Sequence, residues 1–144
     1  MQSPLCEFKS FVNELENYLK KLAKKHNVEH LSGPQGHAVV YLYKNGNEET
    51  CARDIMEYLK VSKSVASNLL TRMEKNNFIT IRSSDLDKRC KIIKLTELGI
   101  EKAKLMTNFF DEISNELLKE ISCEETQIAL KVVKQINKNL KKDK

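Results

Sequence analysis

Glycine and proline are scarce in this chain, with 4 Gly and 2 Pro among 144 residues. A sandwich or barrel spends more of both on tight turns, and a disordered chain would not carry 40% hydrophobic residues. A single helix-rich domain over residues 1–144 is therefore expected, and the chain is long enough to bury a sizeable core. Long apolar stretches are also missing, none reaching the ~18 residues that suggest a membrane span. The opening MQSPLCEFKS has neither the basic end nor the apolar run of a secretory signal, so a cytoplasmic protein without a membrane partner is expected. Paired cysteines are absent too: Cys6, Cys51, Cys90 and Cys123 lie far apart, without a C-x-x-C, and read as reduced thiols. Nor is there a Gly-rich phosphate loop, a G-x-S-x-G or a credible carboxylate pair, which leaves little for an enzyme.

What is present is charge in one place. Between Lys60 and Lys94 stand nine bases against three acids, a local balance of +6 within a formal net charge of +5. The rest of the chain sits at −1. Concentrated in this way, the excess suits a phosphate-binding surface better than a generally solubilising role.

Periodicity orders the elements around that segment. Leu5, Phe8, Val12, Leu15, Leu19 and Leu22 alternate steps of three and four along one helical stripe, with Ser3 and Pro4 as cap and first turn. Such a stripe packs either into its own domain or against a second chain, and the residues leave both open. Ser32 is a cap for a second helix to about Tyr43, with Gly46 as its stop. A third helix covers roughly Cys51 to Leu59, and Ser62 caps a fourth in which Val65, Leu69 and Met73 share the inner face. Lys63, Ser64, Ser67, Asn68 and Arg72 occupy its other side, and Asn76 and Asn77 close it. FITIRS and CKIIKL read as a two-stranded hairpin. Thr96 starts a long helix bearing Met106, Phe110, Ile113, Leu117 and Ile121. Ser122 and Glu125 form a capping box for a last helix bearing Ile128, Val132 or Val133, Ile136 and Leu140.

Two short helices, the second with a face of small polar side chains, followed by a basic hairpin, have the order of a winged helix-turn-helix. The expected fold is mainly α with a small β-hairpin wing. A core at 32–96 stands between end helices at 1–31 and 97–144. The helix from Ser62 to Asn76 would lie in a DNA major groove, where Ser62, Lys63, Ser64, Ser67, Asn68 and Arg72 reach phosphates and base edges. A solvated polar face is the plain alternative, and the adjoining basic hairpin favours double-stranded DNA.

The stretch CARDIMEYLKVSKSVASNLLTRMEKNNFITIRSSDLDKRCKIIKLTELG, Cys51 to Gly99, resembles the reading core of the multiple antibiotic resistance regulator (MarR) family. The resemblance rests on the ARDIMEYLKVSKSVASNLLTRMEK helix pair, Arg82 after the first strand, the D-x-D-K-R wing and the KLTELG helix start. These motifs cover about a third of the chain, and Asn77 stands where the family usually has Gly. The resemblance implies a transcription regulator, expected as a ligand-responsive repressor on an inverted-repeat operator. It implies that Arg89, beside Lys88, enters the minor groove and that Asp87 holds it by a salt bridge, which reduces the rotamer freedom lost on binding. Asp85 is left for an Asx-type turn. The resemblance further implies a homodimer whose end helices interlock through Leu5, Phe8, Val12, Leu15, Leu117, Val133, Ile136 and Leu140.

Family members respond to amphipathic or phenolic small molecules in a cleft, for which His26, Leu31, Pro34, His37, Tyr41 and Tyr43 are candidate linings, each also readable as a core or boundary residue. A peroxide-sensing branch carries a reactive first-helix cysteine, a position like that of Cys6, but its helper tyrosines are replaced here by Glu7, Phe8, Gly33 and Gly36. A zinc-sensing branch would use histidines such as His26, His30 and His37, but Gly36 lacks the acid expected before the last. No metal or cofactor is assigned. A winged-helix interaction module without DNA binding is the remaining alternative, against which the +6 balance counts.

Overall fold

The computed structural model describes residues 3–31, 33–86 and 89–141. In chain order it contains α1 (Pro4–Lys25), a 3-10 turn (Glu29–Leu31), α2 (Pro34–Lys44), β1 (Thr50–Cys51), α3 (Ala52–Leu59) and α4 (Lys63–Lys75). These are followed by β2 (Ile79–Ser83), β3 (Lys91–Leu95), α5 (Glu97–Leu117) and α6 (Cys123–Lys141). The architecture is mainly helical with a small antiparallel sheet, as the winged helix-turn-helix order requires. The chain forms two compact units, one up to Thr107 and the other from Asn108.

The sheet departs from the expected hairpin by gaining a third strand. Its order is β1-β3-β2, with Thr50 opposite Ile93 and Cys51 opposite Ile92. Two residues are too short for a period to show in sequence, yet they make β3 the central strand, and Ile92 and Ile93 are both buried.

Local chemistry sets most helix ends. Ser3 precedes Pro4 in extended backbone, but its side chain makes no capping bond. At the far end of α1, Asn27 takes a positive φ of 57°, and the Val28 N–H donates to the Ala23 carbonyl at 2.9 Å. That geometry ends a helix by turning the chain back on its last turn. Helix α2 follows Gly33; the proposed cap Ser32 lies outside the described residues. Its expected stop at Gly46 is corrected to Asn45, whose Nδ2 donates to the Tyr41 carbonyl at 2.9 Å.

None of the glycines has positive φ. Two serve close approach instead. A Cβ on Gly36 would collide with the Leu31 carbonyl oxygen, and one on Gly99 with that of Phe78. Helix α3 starts one residue later than expected, with Cys51 as its cap: the Cys51 N–H and thiol both donate to Asp54 Oδ2, at 3.0 and 3.4 Å.

The first unit's core gathers Leu31, Ala38, Val39, Ile55, Leu69, Met73, Ile79 and Met106. Helix α4 contributes Ala66, Leu69, Leu70 and Met73. The expected inner stripe Val65–Leu69–Met73 is thus corrected at its first member, because Val65 is 46% exposed. A step-of-four ridge drifts around a 3.6-residue helix, and Ala66 and Leu70 lie nearer the middle of the buried arc.

In the second unit, Phe109 and Ile113 of α5 are buried, whereas Leu117 is exposed and Ile121 falls beyond the helix end. Phe109 thus takes the inner place expected of Phe110, which is only half-buried. The capping box is present: the Ser122 N–H donates to Glu125 Oε1 at 3.0 Å, and the Glu125 N–H to Ser122 Oγ at 3.1 Å. Helix α6 buries no residue among those described.

Candidate nucleic-acid interface

The exposed side of α4 is held from both ends. At its start, Ser62 is extended and its Oγ accepts the Val65 N–H at 3.3 Å. At its end, Asn77 has φ 65°, and the Phe78 N–H donates to the Met73 carbonyl at 3.0 Å. Asn76 Nδ2 also donates to Gln35 Oε1 of α2 at 3.2 Å. The Thr96 N–H donates to the Phe78 carbonyl at 3.0 Å, while its hydroxyl donates to the Asn77 carbonyl and accepts the Gly99 N–H. One threonine therefore joins the end of α4, the strand pair and the start of α5. Close contact at Gly99 permits that junction.

On this mount, Ser62, Lys63, Ser64, Ser67, Asn68 and Arg72 are all exposed. Two features escaped the sequence reading. Thr71 is exposed and donates to the Ser67 carbonyl at 2.9 Å, occupying its hydroxyl locally. Val65 lies at the flank of the polar arc, next to Asn68 and Arg72 by helical spacing. The inner residues of α4 were legible as a ridge, but nothing in the letters distinguishes an apolar residue at the edge of that ridge from one within it.

Strands β2 and β3 pair in register from Ile79 opposite Leu95 to Ser83 opposite Lys91. Thr80, Arg82, Lys91 and Lys94 are exposed. Beyond the last pair, the Ser84 N–H donates to the Cys90 carbonyl at 2.9 Å. Arg89 is exposed; Asp87 and Lys88 lie outside the described residues.

A local turn bond is made by Ser84, whose Oγ accepts the Leu86 N–H at 3.2 Å; the Asx-type turn expected at Asp85 would take the Asp87 N–H, which lies outside the described residues. Asp85 approaches Arg82, with 3.9 Å between Oδ2 and a guanidinium nitrogen, and Glu49 lies equally far from the other terminal nitrogen. All three are well exposed, so these pairs orient the guanidinium more than they stabilise the fold. Glu49 could not be found from sequence because its approach to Arg82 depends on the unforeseen β1.

The proposed small-molecule residues are scattered in character. His26 ends α1 and is exposed, Pro34 opens α2 and is exposed, and Leu31 is fully buried. His37 and Tyr41 lie one turn apart on α2. Surrounding protein desolvates the His37 imidazole and lowers its pKa below the ordinary value, even though part of the residue meets solvent. Tyr41 stacks on Tyr58 of α3, ring centres 4.4 Å apart and planes 28° inclined. Its hydroxyl pKa is raised, first by desolvation and then by the nearby charges of Asp54, Glu48, Glu57 and Cys51. Tyr43 is exposed on the last turn of α2.

Of the proposed pairing residues, Leu5, Phe8, Val12, Leu117, Val133 and Leu140 are exposed, and Leu15 and Ile136 half-buried. Cys6 is exposed on α1. Among the described residues, no group of three or more His, Cys, Asp or Glu side chains could hold a metal ion, and no helix is long and apolar enough to cross a membrane.

Comparison with known proteins places this geometry. The MarR family profile matches residues 31–89, from the 3-10 turn to the wing. A crystal structure of heme-free PefR is 45% identical, covering 95% of this chain and 99% of its own, with a TM-score of 0.85. The heme sensor protein PefR from Streptococcus agalactiae in complex with heme is 44% identical over 99% of this chain and 97% of its own, with a TM-score of 0.73. MepR of S. aureus in complex with DNA shares the fold at 24% identity, covering 98% of this chain and 100% of its own, with a TM-score of 0.77. With its fold, its motifs and a relative this similar over nearly its whole length, the chain belongs to the MarR family of transcription regulators.

Proposed function

We propose that this protein is a sequence-specific regulator that binds double-stranded DNA as a homodimer and represses from an inverted-repeat operator. The observation that carries the reading is the exposed polar face of α4, mounted beside a strand pair whose exposed positions are largely basic. Helix α4 lies in the major groove, with Ser64, Ser67 and Asn68 towards base edges and Lys63 and Arg72 towards phosphates. Arg89 enters the minor groove, positioned by Asp87, while Lys88 and Arg82 meet the backbone. A second copy covers the apolar faces of α1 and α6, and residues 1–144 act as one domain around the 32–96 core. The two reading helices then lie about 34 Å apart, one DNA turn, or a multiple of it.

The test is a duplex recovered by the protein itself from a randomised pool and titrated at several salt concentrations. Affinity should fall with a log-log slope of roughly −0.9 per phosphate neutralised. Arg89→Ala should lose about 1–3 kcal/mol of binding at fixed salt with the thermal midpoint unchanged. Unaltered affinity in that variant would remove the wing from the mechanism, and failure to enrich any duplex would overturn the regulator reading.

The identity with PefR favours a more specific second reading, in which the effector is an iron porphyrin, itself amphipathic. The donor types suit such a group, since imidazole is a common ligand of heme iron. His26, His30 and His37 are the imidazoles of this chain, and the desolvation that lowers the His37 pKa favours its neutral form, the form that would bind iron. When bound, the porphyrin would supply iron coordination, and the histidines would orient it. Hemin titration should give a saturable shift of the Soret band and release of the selected duplex. An unshifted band ends this reading, and a band retained in each of the three His→Ala variants excludes imidazole ligation.

A further inference from the structure

The apolar residues of α4 divide unevenly: Ala66, Leu69, Leu70 and Met73 are each at most 4% exposed, whereas Val65 is 46% exposed. Val65 stands in the first turn, where its own N–H is fixed by the Ser62 cap. Being β-branched, it has a strongly restricted χ1 in a helix, so its two methyl groups point in a set direction. Helical spacing places Asn68 and Arg72 along the same flank, and both are exposed. A rigid apolar group thus interrupts a polar face near the end of the helix that enters a groove deepest.

The major groove offers one apolar feature that distinguishes base pairs, the C5-methyl of thymine. We infer that Val65 is a specificity-determining residue that packs against a thymine methyl at one position of each operator half-site. The inference rests on the DNA-binding reading above and adds to it a base and a contact type. Hydrogen-bonding neighbours such as Asn68 report donor and acceptor patterns, which uracil shares with thymine at the same groove edge. In the first turn of α4, where the groove is entered, Val65 is the exposed apolar side chain and is suited to sense the methyl.

The experiment uses the full-length protein and the duplex it enriches from a randomised pool. Each thymine is replaced in turn by deoxyuridine, which deletes the methyl and leaves the base pairing intact. With wild type, one thymine per half-site should be sensitive, losing about fourfold in affinity when replaced, as expected for one buried methyl group. Val65→Ala should bind the thymine and deoxyuridine duplexes equally, and Val65→Ile should keep the discrimination. Unchanged thermal midpoints would separate this effect from misfolding. A wild type indifferent to every replacement, or a Val65→Ala variant as sensitive as wild type, overturns the assignment while the regulator reading stands. A pool from which nothing is enriched overturns both.

Discussion

Helices α4 and α6 are built from similar proportions of apolar and charged residues, yet they end in opposite conditions. Helix α4 buries four apolar side chains within its own unit and leaves a polar arc outside. Helix α6 buries nothing among its described residues, and Val133 and Leu140 remain 52% and 71% exposed. The difference indicates which surfaces expect a partner and of what kind. Helix α4 has its apolar demand met at every position but Val65 and otherwise offers polar groups, which suits a polar ligand such as DNA. Helix α6 retains an unmet apolar demand, about 1.5–3 kcal/mol for each large side chain that a partner could fully cover. A second copy of the chain meets that demand most directly.

Substitution of apolar residues in the two helices should break this comparison most visibly. Leu69→Ala in α4 should cost about 2–5 kcal/mol, since it empties a fully enclosed site, and urea unfolding would measure it. A loss under ~0.5 kcal/mol, ordinary for surface positions, would mean that α4 is not anchored as described. Charging α6 should do something different. Val133→Glu combined with Leu140→Glu should leave helical content intact but convert the dimer to monomers in sedimentation, with loss of tight operator binding. A variant that still sediments as a dimer would place the pairing surface elsewhere.

The two helices also differ in how much of their role could be read in the letters. The helix caps Ser62, Thr96 and Ser122 were legible because each capping residue acts on the backbone within three positions, a range that sequence spacing encodes directly. The polar face of α4 was legible for the same reason, as a period. Val65 was misplaced because the edge of a buried arc depends on what packs beside it. Gly46 was read as the stop of α2, but Asn45, one residue earlier, is its cap, and the Asn45 side chain donates to the Tyr41 carbonyl. The approach of Glu49 to Arg82 depends on β1, two residues long and paired with a strand some forty positions away. For α1 and α6 the apolar stripes were visible in sequence as periods, and most of their large side chains stay exposed; under the proposed dimer a second copy covers them.

The smallest effect concerns what holds the start of α6 in the absence of burial. The Glu125 carboxylate accepts the Ser122 N–H, and this bond together with the Ser122 hydroxyl lowers its pKa below the ordinary carboxylate range. A carboxylate whose folded pKa is depressed contributes stability that is complete above its unfolded pKa and is lost as the pH falls through the folded value. Glu125→Gln keeps an oxygen acceptor but cannot titrate, so the difference in thermal midpoint between wild type and variant should be present at pH 6 and shrink as the pH is lowered through the acid range. A pH-independent difference would mean that the ionised cap contributes nothing to α6. The test is informative because no enclosed apolar side chain anchors that helix among the described residues. The same capping chemistry at Ser62 is backed by Leu69 and Met73, and a local bond weighs more where the core weighs less.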